Sequence, residues 1–370
     1  MRIGIPKETA PQETRVAGTP ASVKKLIKKG LKVLVEKGAG LAAGYPDADY
    51  VAEGAEIGDL NGAFSSEIVL KVQKPTVSEI EKLKTGSLLI SFLEPYNKDG
   101  TLEKLASKNI NAMSMEMIPR TSRAQSMDAL SSQAGIAGYR AVIEASRHYP
   151  RFFPMMMTSA GMNKPAKVLV IGAGVAGLQA IATARKLGGT VEAFDVRPEV
   201  KEQIQSLGAK FLELDIGETG TGQGGYAKEL SEEGKRKQQQ ALTERLKKFD
   251  VVISTANVPG RKAPTLITEE AVRGMRPGSV IIDMAAPSGG NCPLTKLDEI
   301  VDINGVKIVG FANYPSSVAA DASMFFANNL VSLLGLVFPD KAPTDKINLN
   351  LEDDIIAGSL AVHNGQVKAK

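Results

Sequence analysis

Short apolar runs alternate with helically spaced apolar positions along the first third of the chain. A compact apolar run predicts a buried strand, and apolar residues that recur every three to four positions predict a helix. The runs predict strands over 2–6, 32–36, 68–72, 87–93 and 112–117, and the spaced positions predict helices over 21–29, 78–83 and 101–108. This alternation is typical of an α/β domain with a parallel sheet.

The second half of the chain repeats the alternation. Apolar runs predict strands over 167–171, 191–196, 251–255, 279–284 and 306–311. Longer apolar-periodic segments predict helices over 126–147 and 317–336, before and after these strands. We expect the tail to Lys370 to pack on the first domain.

A glycine motif distinguishes the second set of strands from the first. Gly172, Gly174 and Gly177 follow the strand 167–171 as G-x-G-x-x-G and open a helix at Val175 and Ala176. Gly172 would permit a tight turn, Gly174 would let the backbone approach a pyrophosphate, and Gly177 would let the helix pack close to the strand. The helix N-terminus favours phosphate. The motif predicts dinucleotide binding, and the alternative is a glycine-rich turn in an ordinary α/β sheet.

An acidic residue about twenty positions beyond the motif predicts which dinucleotide binds. Asp195 stands at the end of the strand 191–196, where a carboxylate accepts hydrogen bonds from ribose hydroxyls and repels a 2′-phosphate. Arg197 could hold such a phosphate, but Asp195 occupies the usual ribose position, so NAD(H) is favoured over NADP(H). The alternative for Asp195 is an exposed carboxylate without a ligand. The predicted nucleotide site also includes Val175, Ala176, Val196, Arg197, Tyr226, Thr255 and Ala256.

These elements predict an α/β fold with two Rossmann-like doubly wound domains, joined by long crossing helices. The first domain is discontinuous and comprises 1–130 plus 319–370, and the second, NAD(H)-binding domain comprises 131–318. Ligands of such folds bind in a cleft at the carboxyl ends of the strands.

Two irregular segments interrupt the pattern. The segment 148–165, HYPRFFPMMMTSAGMNKP, reads as a connector, and its three methionines, 155–157, are expected to be packing filler rather than a binding surface. The glycine-rich segment 217–227, which includes Tyr226, has too few apolar residues to hold one conformation. It is either a mobile lid over the nucleotide or a disordered insertion.

Composition excludes several classes of protein. The 370 residues predict two domains, and 43% hydrophobic and 23% charged residues are typical of a soluble globular protein. A net charge of +4 argues against nucleic-acid binding. A single cysteine, Cys292, fits a reducing compartment and is expected to be a buried small residue, and with only two histidines we predict no metal site. We expect no signal peptide, and no membrane span, because the apolar run 330–338 has about half the length that a bilayer requires.

Residues 120–133, RTSRAQSMDALSSQ, resemble the signature of the NAD(H)-binding component of proton-translocating NAD(P) transhydrogenases. The segments IPKET, GAGVAGLQAIATARKLG, GGYAKE, ITEE, PGSVIID, GGNCPL and VAADAS are similar to the same family. The resemblance implies that Arg120, Gln125, Asp128 and Ser131 form a loop that grips the nicotinamide end of the dinucleotide. The alternative is a polar helix N-terminus.

Alanine dehydrogenases form a related family. In that family, the resemblance implies, an arginine and a lysine bind the carboxylate of a 2-oxo acid, and a histidine and an aspartate transfer protons. The cations are retained as Arg15 and Lys74, but Phe92 and Pro287 stand where the proton-handling groups are expected. Neither can act as an acid or base. Hydride transfer between two nicotinamides changes no proton count and needs neither.

The resemblance therefore implies the NAD(H)-binding subunit of a proton-translocating transhydrogenase, which transfers hydride directly between NADH and NADP⁺. Its partners would be a membrane-spanning component and a component that binds NADP(H), both on other polypeptides. The family also implies a homodimer that is cytoplasmic and peripheral at the inner membrane face. The alternatives are an alanine-dehydrogenase-like amino-acid dehydrogenase and a non-catalytic nucleotide-sensing module.

Overall fold

The computed structural model describes residues 1–220, 228, 230–257, 260–339, 347 and 349–369. The chain forms two compact units, one of Met1–Gln133 with Pro315–Lys370 and the other of Ala134–Tyr314. Tyr226 and the rest of 221–227 lie outside the described residues.

The N-terminal portion of the first unit alternates strands and helices as predicted. Its elements are β1 (Arg2–Ile5), α1 (Pro20–Lys28), β2 (Lys32–Glu36), α2 (Asp47–Ala52), β3 (Glu56–Gly58), α3 (Leu60–Phe64), β4 (Ile68–Leu70), α4 (Val77–Ile80), β5 (Leu88–Ser91), α5 (Thr101–Ser107) and β6 (Asn111–Ser114). Helix α1 begins with a capping box between Thr19 and Ser22 and has Pro20 in its first turn. Two 3-10 helices, Met115–Met117 and Ser122–Met127, then precede α6 (Ala129–His148).

The second unit contains the glycine motif. It takes most of α6 and adds β7 (Met156–Thr158), β8 (Gly161–Asn163), β9 (Lys167–Ile171), α7 (Val175–Lys186), β10 (Thr190–Phe194), α8 (Lys201–Ser206), β11 (Lys210–Phe211), α9 (Glu232–Leu246), β12 (Val251–Ser254), α10 (Glu269–Gly274), β13 (Val280–Asp283), β14 (Ile300–Ile303) and β15 (Val306–Val309). Among the described residues, the main sheet runs in the order β11-β10-β9-β12-β13-β15-β14. Only β14 is antiparallel to its neighbour in that described sheet.

The C-terminal portion of the chain returns to the first unit, as expected. It adds α11 (Ala319–Val337), α12 (Asp354–Ser359), β16 (Leu360–His363) and β17 (Gln366–Val367). Over the described residues, the sheet of this unit runs β17-β16-β6-β5-β4-β1-β2-β3, and β16 and β17 are its antiparallel strands. The predicted α/β class with Rossmann-like parallel sheets is confirmed.

Helix α11 is longer than the apolar run 330–338 within it. With the preceding 3-10 turn it spans Pro315–Val337, 23 residues, and an 18-residue window of it has a mean hydropathy of 1.3, which is long and apolar enough to cross a membrane. Half of that window is buried, and Phe326, Leu330 and Leu333 pack in the core of the first unit. The core helix of a soluble protein has the same length and composition, so this helix is weak evidence for a membrane span.

The expectation for the connector methionines is wrong. Strands β7 and β8 form a two-stranded antiparallel hairpin, and Met155, Met156 and Met157 are 58%, 41% and 69% exposed. Phe152 and Met162 are exposed on the same segment. Within the described chain the hairpin pairs with no further strand. Its exposed methionine side chains are therefore not packing filler in a core.

Cys292 is buried, as predicted, and burial raises the pKa of its thiol to about 11. A thiol with so high a pKa is a poor nucleophile. Across the described residues, no group of three or more His, Cys, Asp or Glu side chains could hold a metal ion.

Candidate dinucleotide and nicotinamide sites

The glycine motif forms the turn between β9 and α7. Gly172 has a φ of +92°, and a Cβ there would lie 2.6 Å from Thr255 Oγ1. A Cβ on Gly177 would lie 1.9 Å from the carbonyl oxygen of Gly172, so only glycine lets α7 approach β9 this closely. A Cβ on Gly174 would meet no atom within 4 Å. Gly172 and Gly177 therefore have the predicted structural roles in the turn and in helix packing, and the space beside Gly174 is open.

Asp195 follows β10 directly, and the residue is 8% exposed. Its Oδ2 accepts from the backbone N–H of Ala173 at 2.7 Å, within the glycine turn. Its Oδ1 accepts from the backbone N–H of Arg197 at 2.9 Å, and the guanidinium of Arg197 binds both oxygens. Asp195 thus joins the end of β10 to the glycine turn. Val196, between the two, is half-buried.

A third loop completes this edge of the sheet. Because β10, β9 and β12 are parallel neighbours, the loops after them emerge at one edge. Thr255 Oγ1 donates to the carbonyl oxygens of Ile171 and Gly172, both at 3.2 Å. The structure therefore brings together Gly172, Asp195 and Thr255. In doubly wound folds, the point where strand order reverses beside the first strand is where nucleotides bind.

One residue of this site was not predicted from the sequence. Asn291 is fully buried, and its side-chain amide donates to the carbonyl oxygens of Ala256 and Pro264, both at 2.9 Å. Its Oδ1 accepts from Ser254 Oγ at 2.7 Å. Asn291 therefore fixes the loop that carries Thr255 and Ala256. The segment GGNCPL in the sequence was the available signal.

The four residues predicted to grip the nicotinamide lie in the first unit, around the junction of a 3-10 helix and α6. Arg120 and Gln125 are exposed. Asp128 adopts a non-helical conformation between the two helices and accepts from the backbone N–H of Ser131 at 2.9 Å and from its hydroxyl at 2.5 Å. Asp128 thus caps the N-terminus of α6, which is the alternative role predicted for these polar residues. Gln125 lies within the 3-10 helix that precedes Asp128.

The two cations typical of a 2-oxo-acid site are both paired with carboxylates. Arg15 is buried and binds both oxygens of Glu13, and it also donates to Gln133 at 2.9 Å. Lys74 donates to Glu94 and, at 2.7 Å, to Asp99. Neither charge is left uncompensated.

The residues that stand in place of the acid–base pair are apolar. Phe92 packs on Phe326, with ring centroids 5.2 Å apart. Pro287 lies in a 3-10 helix, Ala286–Ser288. Neither can exchange a proton with a substrate.

The fold and the glycine turn define a two-unit α/β protein with a dinucleotide-binding type of βαβ unit. Residues 4–137 match the model of the alanine dehydrogenase/PNT N-terminal domain, and residues 141–370 match that of the C-terminal domain. The chain belongs to the alanine dehydrogenase/PNT family.

Relatives within the family fall into two groups. The chain is 48% identical to an NAD(P) transhydrogenase subunit alpha polypeptide of Rhodospirillum rubrum, over 99% of this chain and 97% of that protein. It is 46% identical to NAD(P) transhydrogenase subunit alpha of Haemophilus influenzae, over 99% of this chain and 71% of that protein. Alanine dehydrogenase 1 of Staphylococcus aureus is 29% identical over 99% of this chain and 94% of that protein.

Solved structures give the same ranking, with a transhydrogenase more similar to this chain than an alanine dehydrogenase is. The crystal structure of transhydrogenase from Sinorhizobium meliloti superposes with a TM-score of 0.90 and 42% identity, covering 99% of this chain and 100% of that one. An L-alanine dehydrogenase superposes with a TM-score of 0.80 and 27% identity, covering 100% and 97%. The family resemblance of the sequence is confirmed.

Proposed function

We propose that this chain is the NAD(H)-binding subunit of a proton-translocating transhydrogenase. In that enzyme, hydride passes directly between NADH and NADP⁺, and partner subunits in the membrane couple the transfer to proton translocation. The observation that carries the proposal is 48% identity with the transhydrogenase subunit of Rhodospirillum rubrum over nearly the whole length of both chains, against 29% with an alanine dehydrogenase.

The second unit fits a dinucleotide. The open space beside Gly174 lies at the N-terminus of a twelve-residue helix, where unpaired N–H groups and the helix dipole favour a pyrophosphate. The loops that carry Asp195 and Thr255 emerge beside it. In this proposal Gly172–Gly177 hold the pyrophosphate and Asp195 holds the adenosine ribose. A carboxylate at that position favours NAD(H) over NADP(H).

The first unit supplies the groups for the nicotinamide end. When bound, the nicotinamide supplies the hydride. The exposed amide of Gln125 can pair with a carboxamide, and Asp128 and Ser131 fix the start of α6, which follows the 3-10 helix that carries Gln125. Arg120 supplies a cation for the ribose or phosphates. None of these roles requires proton transfer, which fits the presence of Phe92 where an acid or base would stand.

We further propose the partners and the location that this role entails. A membrane-spanning component and an NADP(H)-binding component would bind this chain, which would then be peripheral at the cytoplasmic face of the membrane.

A homodimer is supported by the hairpin β7–β8. An isolated two-stranded hairpin is marginally stable, and exposed apolar side chains such as Met157 and Met162 mark interaction surfaces. We assign the domains as 1–130 with 319–370, and 131–318.

Reconstitution with the NADP(H)-binding component tests the proposal at the level of the site. Most binding energy should come from the pyrophosphate and ribose, remote from the reacting ring. Gln125→Asn should therefore bind NADH within a few-fold of the parent, yet transfer hydride at least about tenfold more slowly in stopped flow, because small positioning errors are costly. Gln203→Asn, on the exposed surface of α8, is the matched control and should match the parent in both.

Two outcomes would count against the proposal. If affinity and rate fall together in Gln125→Asn, this loop is a binding element and has no separate role in hydride transfer. If the reconstituted parent does not reduce NADP⁺ to NADPH with NADH as the hydride donor, the transhydrogenase function itself is refuted.

A further inference from the structure

A side chain from the C-terminal portion of the chain holds the segment that carries Gln125. Asn329, on α11, is buried, and its Nδ2 donates to the carbonyl oxygen of Ser126 at 2.9 Å. Its Oδ1 accepts from the hydroxyl of Ser132 at 2.7 Å. Ser126 belongs to the 3-10 helix before the bend at Asp128, and Ser132 belongs to the first turn of α6 after it. One amide therefore bridges both sides of the bend.

Local hydrogen bonds hold the two sides of that bend unequally, because on the 3-10 side the backbone N–H of Asp128 donates to the carbonyl oxygen of Gln125 at a long 3.3 Å. Asp128 caps α6 through Ser131, so the start of α6 is secured by its own sequence. The 3-10 helix on the other side has intrinsically poorer hydrogen-bond geometry, and Gln125 is exposed within it. Contacts from outside the segment therefore help to fix the direction in which Gln125 projects. Asn329 provides one that reaches both sides of the bend, and Arg123 of the same 3-10 helix pairs with Asp353 at 2.7 Å.

We propose that Asn329 is a positioning residue for hydride transfer, acting through Ser126 and Ser132 to fix the backbone that carries Gln125. The inference rests on the proposed function. Asn329 acts behind the loop, so its loss should lower the rate of transfer and leave NADH affinity nearly unchanged. A misplacement of about 1 Å can lower a rate about a hundredfold.

The test is Asn329→Asp in the complex with the membrane and NADP(H)-binding subunits. The substitution keeps the oxygen that accepts from Ser132 and replaces the donor to Ser126 by a carboxylate oxygen. The matched control is Asn328→Asp, the same change one residue earlier on α11, where Oδ1 accepts from Lys25 Nζ at 2.9 Å. We expect Asn329→Asp to lower kcat at least about tenfold with a NADH Kd within a few-fold of the parent. Asn328→Asp should match the parent.

A pH profile separates this role from a general structural one. A protonated carboxyl group regains an O–H donor, which can bond to the Ser126 carbonyl as the amide did. The rate of Asn329→Asp, relative to the parent at the same pH, should therefore rise as pH is lowered. The same ratio for Asn328→Asp should stay flat.

The inference is overturned if Asn329→Asp equals the active parent at every pH, or if its NADH affinity falls in step with its rate. A parent complex without hydride transfer would refute the proposed function, and this inference with it. If Asn329→Asp does not fold, Ser132→Ala is the second variant, since it removes one of the two bonds of Asn329 and leaves the other. It should lower kcat by a smaller factor at unchanged NADH affinity, and an unchanged kcat would overturn the inference.

Discussion

Arg197 folds back onto Asp195, and its Nε and Nη2 donate to the two carboxylate oxygens at 2.9 and 2.8 Å. The backbone N–H groups of Ala173 and Arg197 donate to the same two oxygens. Each oxygen thus accepts two hydrogen bonds, which is about the capacity of a carboxylate. A ribose hydroxyl that binds Asp195 must share or displace one of these donors. The side chain of Arg197 is the donor that can move without disturbing the backbone.

Replacing Asp195 should weaken NADH binding. The parent should bind NADH far better than NADPH, because in the proposed binding mode the Asp195 carboxylate would face a 2′-phosphate. Asp195→Asn loses charge-assisted bonds, and the affinity for NADH should fall by about 1–3 kcal/mol. Calorimetric titration with each nucleotide measures both effects, with Asp302→Asn, an exposed carboxylate on β14, as the control. Equal affinities of the parent for NADH and NADPH would contradict the assignment.

Replacing Arg197 should sharpen the preference for NADH. The guanidinium offsets the charge of Asp195, so Arg197→Gln leaves the carboxylate to repel a 2′-phosphate at full strength. We expect NADPH to bind more weakly than to the parent and NADH to bind within a few-fold. The ratio of the two dissociation constants is the measured quantity. A ratio that moves towards NADPH would indicate that Asp195 does not face the 2′ position.

Alanine dehydrogenase activity should be absent. Phe92 and Pro287 cannot exchange protons, and Lys74 is held by Glu94 and Asp99. Incubation with pyruvate, ammonium and NADH should leave the nicotinamide absorbance unchanged. Turnover on the order of ten per second, an ordinary rate for an enzyme, would restore the amino-acid dehydrogenase alternative.

Acid should destabilise the first unit through Glu13. Burial opposes the ionisation of Glu13, but the hydrogen bonds and charge of Arg15, with Ser316 and Gln73, outweigh it and lower its pKa from 4.5 to about 2. A lowered pKa means that the unfolded chain binds more protons between these values. The stabilisation, about 3 kcal/mol, is therefore complete above pH 4.5 and lost as pH falls towards 2.

The corresponding measurement is the difference in unfolding free energy between the parent and Glu13→Gln as a function of pH. The difference should be largest near neutral pH and shrink between pH 4.5 and 2. A difference that stays constant over that window would show that ionisation of Glu13 contributes nothing to stability.

The long, strongly patterned elements could be predicted from the sequence. Strand β9 was predicted residue for residue, since a continuous apolar run ends there at a glycine turn. Helix α2 and strand β3 were not predicted. Helix α2 buries only Tyr50 and β3 buries no residue, so neither leaves a periodic apolar signal. The exposure of Met155–Met157, at the start of the two-stranded hairpin, was misjudged because composition does not show whether a second layer covers it.

The glycine turn was predictable because its geometry depends on local sequence. The roles of Gly172 and Gly177 follow from backbone geometry within one βαβ unit, and the structure bears both out. Asn291 and Asn329 act on loops far from them in sequence, so no local pattern identifies them. The engagement of Asp195 by Arg197 was also not predicted, although the two residues are two positions apart. A carboxylate at a strand end and an arginine that follows it can either pair with each other or each face a ligand. The conformation of the folded backbone determines which of the two occurs.

Direct hydride transfer is the central claim, and an isotope label tests it most directly. The chain, assembled with its NADP(H)-binding partner, is given NADP⁺ and NADH that carries deuterium at the transferable C4 position. We expect the deuterium to appear in the NADPH formed, with none released to water, because a hydride that passes directly from one nicotinamide C4 to the other does not exchange with solvent. NADPH without the label, or deuterium released to the solvent, would contradict it.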